Sequence, residues 1–317
     1  MKHLFIVNPA AGGSDKTELV RQKAEVAFAR RQEPYEIYVT RGPMDAAEKI
    51  RREAEAGETL RVYACGGDGT FNECVCGAAL RDNVAVSPLP TGTGNDFCRM
   101  FGDDKDLFRD LDALLDGTVV PIDLIECNGR YSANICSVGI DARIGTSVHK
   151  YSKIPLIGGA TGYVVSSVVN MFKGIATPMH IRCGSFDRQS QYTLVCACNG
   201  RYYGGGFNPS LYARPDDGIM DVFIVRKLNL VQFAALIGKY AAGKADEMPK
   251  YVTHLRSGDT LEIDFDKPDV VNLDGEALYT DKVRMRMVPK ALNLIVPRGL
   301  RFFDQPQPET DASRSAV

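Results

Sequence analysis

A glycine-rich run, Cys65-Gly66-Gly67-Asp68-Gly69-Thr70-Phe71-Asn72-Glu73, lies between the apolar stretch Thr59 to Ala64 and a segment of helical pattern. This strand–glycine–helix order constrains the chain more than any other feature. Glycines let the backbone approach phosphate oxygens and turn its N–H groups toward them, and the helix start behind them adds a partial positive charge. Asp68 sets one carboxylate in the middle of the loop, where a divalent metal riding on phosphates would lie. A loop that welcomes anions yet keeps a carboxylate points to a metal–nucleotide complex rather than a bare anion. The competing reading is a tight strand-to-helix turn whose glycines serve sterics alone.

The surrounding pattern predicts an α/β domain. Leu4–Val7, Tyr35–Val39, Leu60–Ala64 and Val84–Leu89 read as strands, and Thr17–Arg31, Met44–Glu55 and Phe71–Leu80 as helices. Strands alternating with helices over short connections indicate a parallel sheet covered on both faces, with ligands at the strand ends. From about Pro121 the pattern changes to short runs rich in Val, Ile and Tyr: Ile122–Cys127, Tyr131–Val138, Ile181–Gly184, Tyr192–Ala197, Met220–Val225, Thr260–Phe265, Val270–Leu273 and Lys282–Met287. These predict a β-sandwich interrupted by helices near Gly162–Phe172 and Leu230–Tyr240. The expected division is an α/β nucleotide domain over 1–121, rejoined at about 298–305, and a sandwich domain over 122–297. The polar end, 304–317, reads as a disordered tail.

Composition excludes some partners. With 44% hydrophobic residues, 25% charged residues and a net charge of -2, the chain lacks the basic excess that nucleic-acid binding requires. Nine cysteines show no paired-knuckle spacing. Reduced, buried thiols are expected, and with no export signal read at Met1-Lys2-His3-Leu4 the expected location is the cytoplasm. The uncharged run Ile154 to Phe172 contains Pro155 and several glycines, which makes it a poor membrane span. None of His3, His149, His180 and His254 has a partner at ligand spacing.

Two further loops repeat the logic of the first. Asn8-Pro9-Ala10-Ala11-Gly12-Gly13-Ser14 follows the first strand; it offers small residues and free amides to a polyphosphate, or is an ordinary turn capped by Ser14 or Asp15. Pro90-Thr91-Gly92-Thr93-Gly94-Asn95-Asp96-Phe97 follows the strand Val84–Ser87 and places Asp96 beside a helix start. Three such loops at strand ends of one domain form a nucleotide cleft more readily than three accidental turns. In the second half, Asp274-Gly275-Glu276 follows the strand Val270–Leu273, so a glycine-opened turn is expected to present two carboxylates; a solvated Asp-Gly turn is the alternative. Lys282, Arg284 and Arg286 alternate with Val283, Met285 and Met287. That strand face is either solvated or a contact for an anionic bilayer.

Taken in order, Asn8-Pro9 to Gly12, Gly66-Gly67-Asp68-Gly69-Thr70 with Asn72-Glu73, Thr91-Gly92-Thr93-Gly94-Asn95-Asp96-Phe97, Tyr203-Gly204-Gly205-Gly206 with Asp216-Asp217-Gly218-Ile219-Met220-Asp221, and Asp274-Gly275-Glu276 resemble the diacylglycerol kinase catalytic family. That family includes bacterial soluble lipid kinases and sphingosine kinases. The Gly-Gly-Asp-Gly-Thr loop alone also occurs in NAD kinases and phosphofructokinases; the ordered set, from residue 8 to about 300, is the specific signal. The resemblance implies a nucleotide domain and a β-sandwich with the active site between them. It implies that ATP lies against Asn8, Pro9, Ala10, Ala11, Gly12, Thr40, Gly67, Asp68, Gly69, Thr70, Phe71, Asn72, Glu73 and Thr93. It implies that Glu276 is the general base, with Asp68 and Asp96 in the catalytic constellation. It also implies a magnesium ion at the Asp217 side chain and the carbonyls of Arg214 and Ile219; the same Asp-Gly turn without metal is the alternative.

The expected activity is therefore transfer of the γ-phosphate of ATP, with Mg2+, to the hydroxyl of a membrane lipid such as diacylglycerol. The enzyme would be cytoplasmic and transiently at the membrane surface, and its sandwich edges allow a homodimer. Two alternatives remain: a kinase of a soluble acceptor such as NAD, and a silent nucleotide- or lipid-binding regulator.

Overall fold

A computed structural model describes residues 1–11, 15–91, 95–144 and 175–305. The expected helix near Gly162–Phe172 lies outside them, as does the chain beyond 305. Two compact units emerge among them: residues 1–124 with 288–305, and residues 125–287.

In the first unit, β1 (Lys2–Val7), β2 (Tyr35–Val39), β3 (Leu60–Gly66) and β4 (Val84–Pro90) lie in the order β2-β1-β3-β4, every pair parallel. β1, β3 and β4 are buried almost throughout, which is why they read as continuous apolar runs. The connecting helices are α1 (Thr17–Phe28), α2 (Asp45–Glu55) and α3 (Asp68–Ala78). Right-handed crossovers place α1 on one face and α2 and α3 on the other, because the chain first steps outward to β2 and then back across β1. A square of alternating charges joins β1, β2 and α2: Lys2 contacts Glu36 at 2.6 Å and Glu53 at 2.8 Å, and Lys49 contacts both at 2.7 Å. The sequence reading missed the short α4 (Asp96–Arg99), a 3₁₀ turn at Gly102–Arg109, and α5 (Leu111–Leu115), whose cap is the Asp110 carboxylate.

The second unit is antiparallel. Its strands are β5 (Thr118–Cys127, begun in the first unit), β6 (Arg130–Ser132), β7 (Ile135–Gly139), β8 (Thr177–Cys183), β9 (Phe186–Cys198), β10 (Met220–Arg226), β11 (Val252–Ser257), β12 (Leu261–Leu273) and β13 (Glu276–Val296). β9 pairs with β8 over Phe186–Tyr192 and with β7 over Leu194–Cys198. β12 likewise serves β8 through Leu261–Phe265 and β7 through Val271–Leu273. Thr260–Phe265 and Val270–Leu273, expected as two strands, thus belong to one, with a register shift at Asp264/Asp269 that accommodates Pro268. One apolar core gathers Val138, Ile181, Val195, Ile263 and Val283; another gathers Leu194, Cys196, Phe223 and Phe233 of α6 (Leu230–Ala241).

Two boundaries differ from expectation. The chain rejoins the first unit at Val288 rather than near 298. β13 does not stop at Pro289: Lys290 takes φ 53° and its N–H donates to Asp123 at 2.7 Å, after which Asn293 and Leu294 pair in parallel with β4. Asp304, expected in a disordered tail, lies in a 3₁₀ turn with Phe302 and Phe303. The nine cysteines are free thiols, and Cys196 and Cys198 share a strand face with their sulfurs 3.6 Å apart.

Two histidines, His3 buried and His254 half-buried, make stability depend on pH in opposite senses. Burial holds His3, beside Tyr63 at 3.0 Å, down to about 4. Burial also disfavours charge on His254, but hydrogen bonds to Asp221 and Asp246, both 2.8 Å, overcome it and raise the group to about 9. Its folded value lies above the unfolded 6.5, so its contribution is complete below pH 6.5 and lost as the pH rises to about 9. The shift corresponds to roughly 3 kcal/mol. Wild-type protein is expected to lose that stability between pH 6.5 and 9 in urea unfolding, and His254→Gln to show a flat profile there. His3 works the other way, costing stability as the pH falls from 6.5 to about 4.

Candidate active site

The parallel register brings the predicted nucleotide residues together. Val7 pairs with both Val39 and Cys65, and Gly66 pairs with Pro90. Asn8, Thr40, Gly67 and Thr91 therefore leave the carboxyl edge of four adjacent strands at neighbouring positions. The Asn8 side chain closes its loop by accepting the Ala10 N–H at 3.0 Å, while the Asn8 carbonyl accepts that of Ala11 at 3.1 Å. Thr40 donates its N–H to the Val7 carbonyl at 2.9 Å. Gly12 and Thr93 lie outside the described residues.

Gly66 is required at the end of β3, because a Cβ there would stand 2.3 Å from Thr70 Oγ1. Gly67 precedes α3 in an extended conformation, and no side chain among the described residues caps this helix start. Gly69, Thr70, Phe71, Asn72 and Glu73 form its first turns; Thr70, Phe71 and Asn72 are buried, and Glu73 is half-buried. Asp68 has a structural role. Its two carboxylate oxygens accept the N–H groups of Asn95 at 3.0 Å and Asp96 at 2.7 Å, tying the start of α3 to the loop after β4. Asn95 is left-handed, φ 72°, and Asp96 is nearly buried with Arg99 Nε at 3.0 Å. A cavity of about 190 Å³ adjoins this edge, bounded by Leu19 and Lys23 of α1, Pro90, Thr91 and Arg109. Lys23 and Arg109, which the motifs gave no reason to select, bring positive charge beside the loops.

In the second unit, Glu276 opens β13 at a two-residue hairpin turn. Asp274 and Gly275 have φ 50° and 100°, the left-handed pair of a type I′ turn, and Leu273 pairs with Glu276 across it. Glu276 is exposed. Asp274 is not presented alongside it. Its carboxylate turns back to accept Ser132 Oγ at 2.7 Å and the N–H groups of Ile135 at 2.8 Å and Ala133 at 2.9 Å. The expectation of two presented carboxylates is corrected, since backbone amides of the β6–β7 connection take the first. Asp274→Ala strands those donors and is expected to lower stability by about 3 kcal/mol, with Asp274→Asn recovering part of it in thermal unfolding.

The expected magnesium turn is occupied by protein charge. Asp217 accepts the Ile219 N–H at 3.0 Å and faces the Arg256 guanidinium at 3.3 Å; Arg256 also meets Asp221 at 3.0 Å. Arg214 is bound on both nitrogens by Asp216 at 2.9 Å. A divalent cation at Asp217 would have to displace a guanidinium, so the donor set as arranged does not fit one. No cluster of three or more His, Cys, Asp or Glu suited to a metal occurs among the described residues. Another carboxylate not selected from sequence is Asp141. Burial raises it to about 6, against hydrogen bonds that include Ser137 and Tyr203 of the Tyr203-Gly204-Gly205-Gly206 loop.

Comparison with known proteins agrees with this layout. Residues 2–127 match the diacylglycerol kinase catalytic domain, and residues 134–296 match the YegS C-terminal NAD kinase β-sandwich-like domain. A "Probable lipid kinase YegS-like" of Pseudomonas aeruginosa is 30% identical over 264 residues, covering 83% of this chain and 85% of that protein. The protein of the same description in Shewanella frigidimarina is 29% identical over 276 residues, covering 85% and 87%. A crystal structure from Bacillus anthracis, described as a candidate diacylglycerol kinase, superposes with a TM-score of 0.73 at 25% identity, covering 94% of this chain and 97% of that one. The chain belongs to the diacylglycerol kinase catalytic-domain family in its YegS-like, lipid kinase branch, and is a kinase that phosphorylates an alcohol.

Proposed function

We propose that this protein transfers the γ-phosphate of ATP to the hydroxyl of a membrane lipid such as diacylglycerol. The observation that carries the reading is the single edge at which Asn8, Thr40, Gly67 and Thr91 emerge together beside an α3 start that no side chain among the described residues caps. Open amides at a helix start, with glycine for close approach, suit a polyphosphate. ATP as its magnesium complex supplies the phosphoryl group and neutralises charge on its oxygens.

The chain's own residues then position and exchange a proton. The amides of Gly67 and Gly69 hold phosphate oxygens. Asp68 keeps the loop after β4 against α3, so that both phosphate-facing loops move as one. Glu276 Oε takes the proton of the acceptor hydroxyl, and the oxygen so freed attacks the γ-phosphorus as its bond to the β,γ-bridging oxygen breaks and ADP leaves. A carboxylate suffices as base because positioning and charge stabilisation dominate this transfer.

The test is transfer of labelled γ-phosphate from ATP, with magnesium, to a total lipid extract. Label in the organic phase supports the reading and identifies the acceptor. Label on NAD alone would move the protein to a soluble acceptor, and ATP binding with no transfer to any acceptor would make it a regulator.

A further inference from the structure

Helix α6 carries one charge, Lys239, in twelve residues. Its inner face is packed, with Phe233 and Tyr240 buried and Leu236 and Ile237 half-buried against the second core. A helix at a watery surface sets charged residues on its other face. The outward positions here are Leu230, Val231, Ala234, Ala235, Gly238 and Lys239, with Leu230 55% and Val231 78% exposed and Lys239 at the far end facing Glu247 at 3.8 Å. Apolar on both faces, α6 is nevertheless only about 18 Å long, and no described helix is long and apolar enough to cross a membrane. Such a helix is suited to lie in an interface rather than to span one.

Charge beside it specifies which interface. Arg226 and Lys227 precede α6, Lys250 follows it, and all three are exposed. Arg226 and Lys250 lie over the Tyr251 ring, 4.9 and 5.6 Å from its centre. None of the three has an ion-pair partner among the described residues. By contrast, Arg286 is held by Glu126 at 2.7 Å and Arg284 faces Glu262 at 3.8 Å, so two of the three cations on the β13 face are already compensated. Exposed aliphatic residues, a tyrosine and unpaired cations at one edge are the chemistry of a headgroup boundary.

We propose that α6, with Arg226, Lys227 and Lys250, is the surface by which the second unit docks on an anionic lipid bilayer, Leu230 and Val231 entering the acyl boundary. A second copy of this chain fits the face less well, since a two-fold contact would bring these unpaired cations against their own kind. The purpose of docking, reaching a lipid acceptor, rests on the function proposed above; the binding itself does not.

Sedimentation of the full chain with phosphatidylcholine vesicles, with and without phosphatidylglycerol and in the absence of ATP, tests it. Wild type is expected to bind the anionic vesicles and to be released by salt. The double variant Leu230→Asp, Val231→Asp is expected to lose about tenfold or more in partitioning. Lys227→Glu with Lys250→Glu should lose only the dependence on phosphatidylglycerol. Both should melt like wild type and phosphorylate detergent-dispersed lipid at its rate. Wild-type sedimentation of the double aspartate variant overturns the proposal. So does a change in its oligomeric state with vesicle binding intact, which would make a second copy the occupant. If wild type labels no lipid in detergent or vesicles, the kinase substrate reading fails while the sedimentation result still decides the docking surface.

Discussion

Glutamine at position 276 is expected to leave a folded protein whose phosphoryl transfer is slower by about a hundredfold or more, the contribution of a general base. The substitution keeps size and shape, and the turn that positions the residue does not depend on its side chain. That turn is held by the left-handed Asp274 and Gly275 and by the Asp274 carboxylate on the β6–β7 connection. What glutamine removes is the site that takes the hydroxyl proton. The loss should therefore fall on kcat, with KM for ATP and the melting temperature unchanged. Initial rates with a lipid acceptor at saturating ATP measure this, and near-wild-type turnover by the variant would move the base elsewhere.

Alanine at position 68 is expected to cost about a hundredfold or more in kcat/KM, and in this case stability changes as well. Asp68 accepts the amides of both Asn95 and Asp96, so its loss frees the loop after β4 from α3. Two hydrogen bonds to a charged acceptor contribute about 3 kcal/mol at a half-buried site. Asp68→Asn separates geometry from charge. One amide regains an oxygen, so part of the stability returns. If Asp68 acts only by holding the loop, part of the rate returns with it. If its charge also meets the magnesium–nucleotide, asparagine melts close to wild type and is nearly as slow as alanine. Thermal unfolding beside single-turnover rates distinguishes the two.

How much was legible in the sequence follows from how local each determinant is. Strand and helix alternation over the first 121 residues depends on apolar runs and their spacing, and β1 to β4 with α1 to α3 fall within a few residues of those patterns. Glycine loops at strand ends are equally local, so the nucleotide residues could be named before their neighbours were known. The second half was read less well, because β9 and β12 each pair with both β7 and β8 along their length and a bulge near Pro268 hides the continuity of β12. β13 was read only over Lys282–Met287, yet a left-handed Lys290 and the Asp123 carboxylate, 167 residues away, carry the strand on past Pro289.

The sequence by itself determined the order of elements, the glycine-rich loops and the carboxylates available for chemistry, since these depend on neighbours a few residues away. Tertiary structure alone decided what each carboxylate does. Asp68 and Asp274 turn to backbone amides 27 to 141 residues distant, Asp217 meets Arg256, and Glu276 is left facing solvent. No local pattern distinguishes these fates. A carboxylate goes to the strongest donors within reach, and those donors are set by the register of strands far apart in the chain.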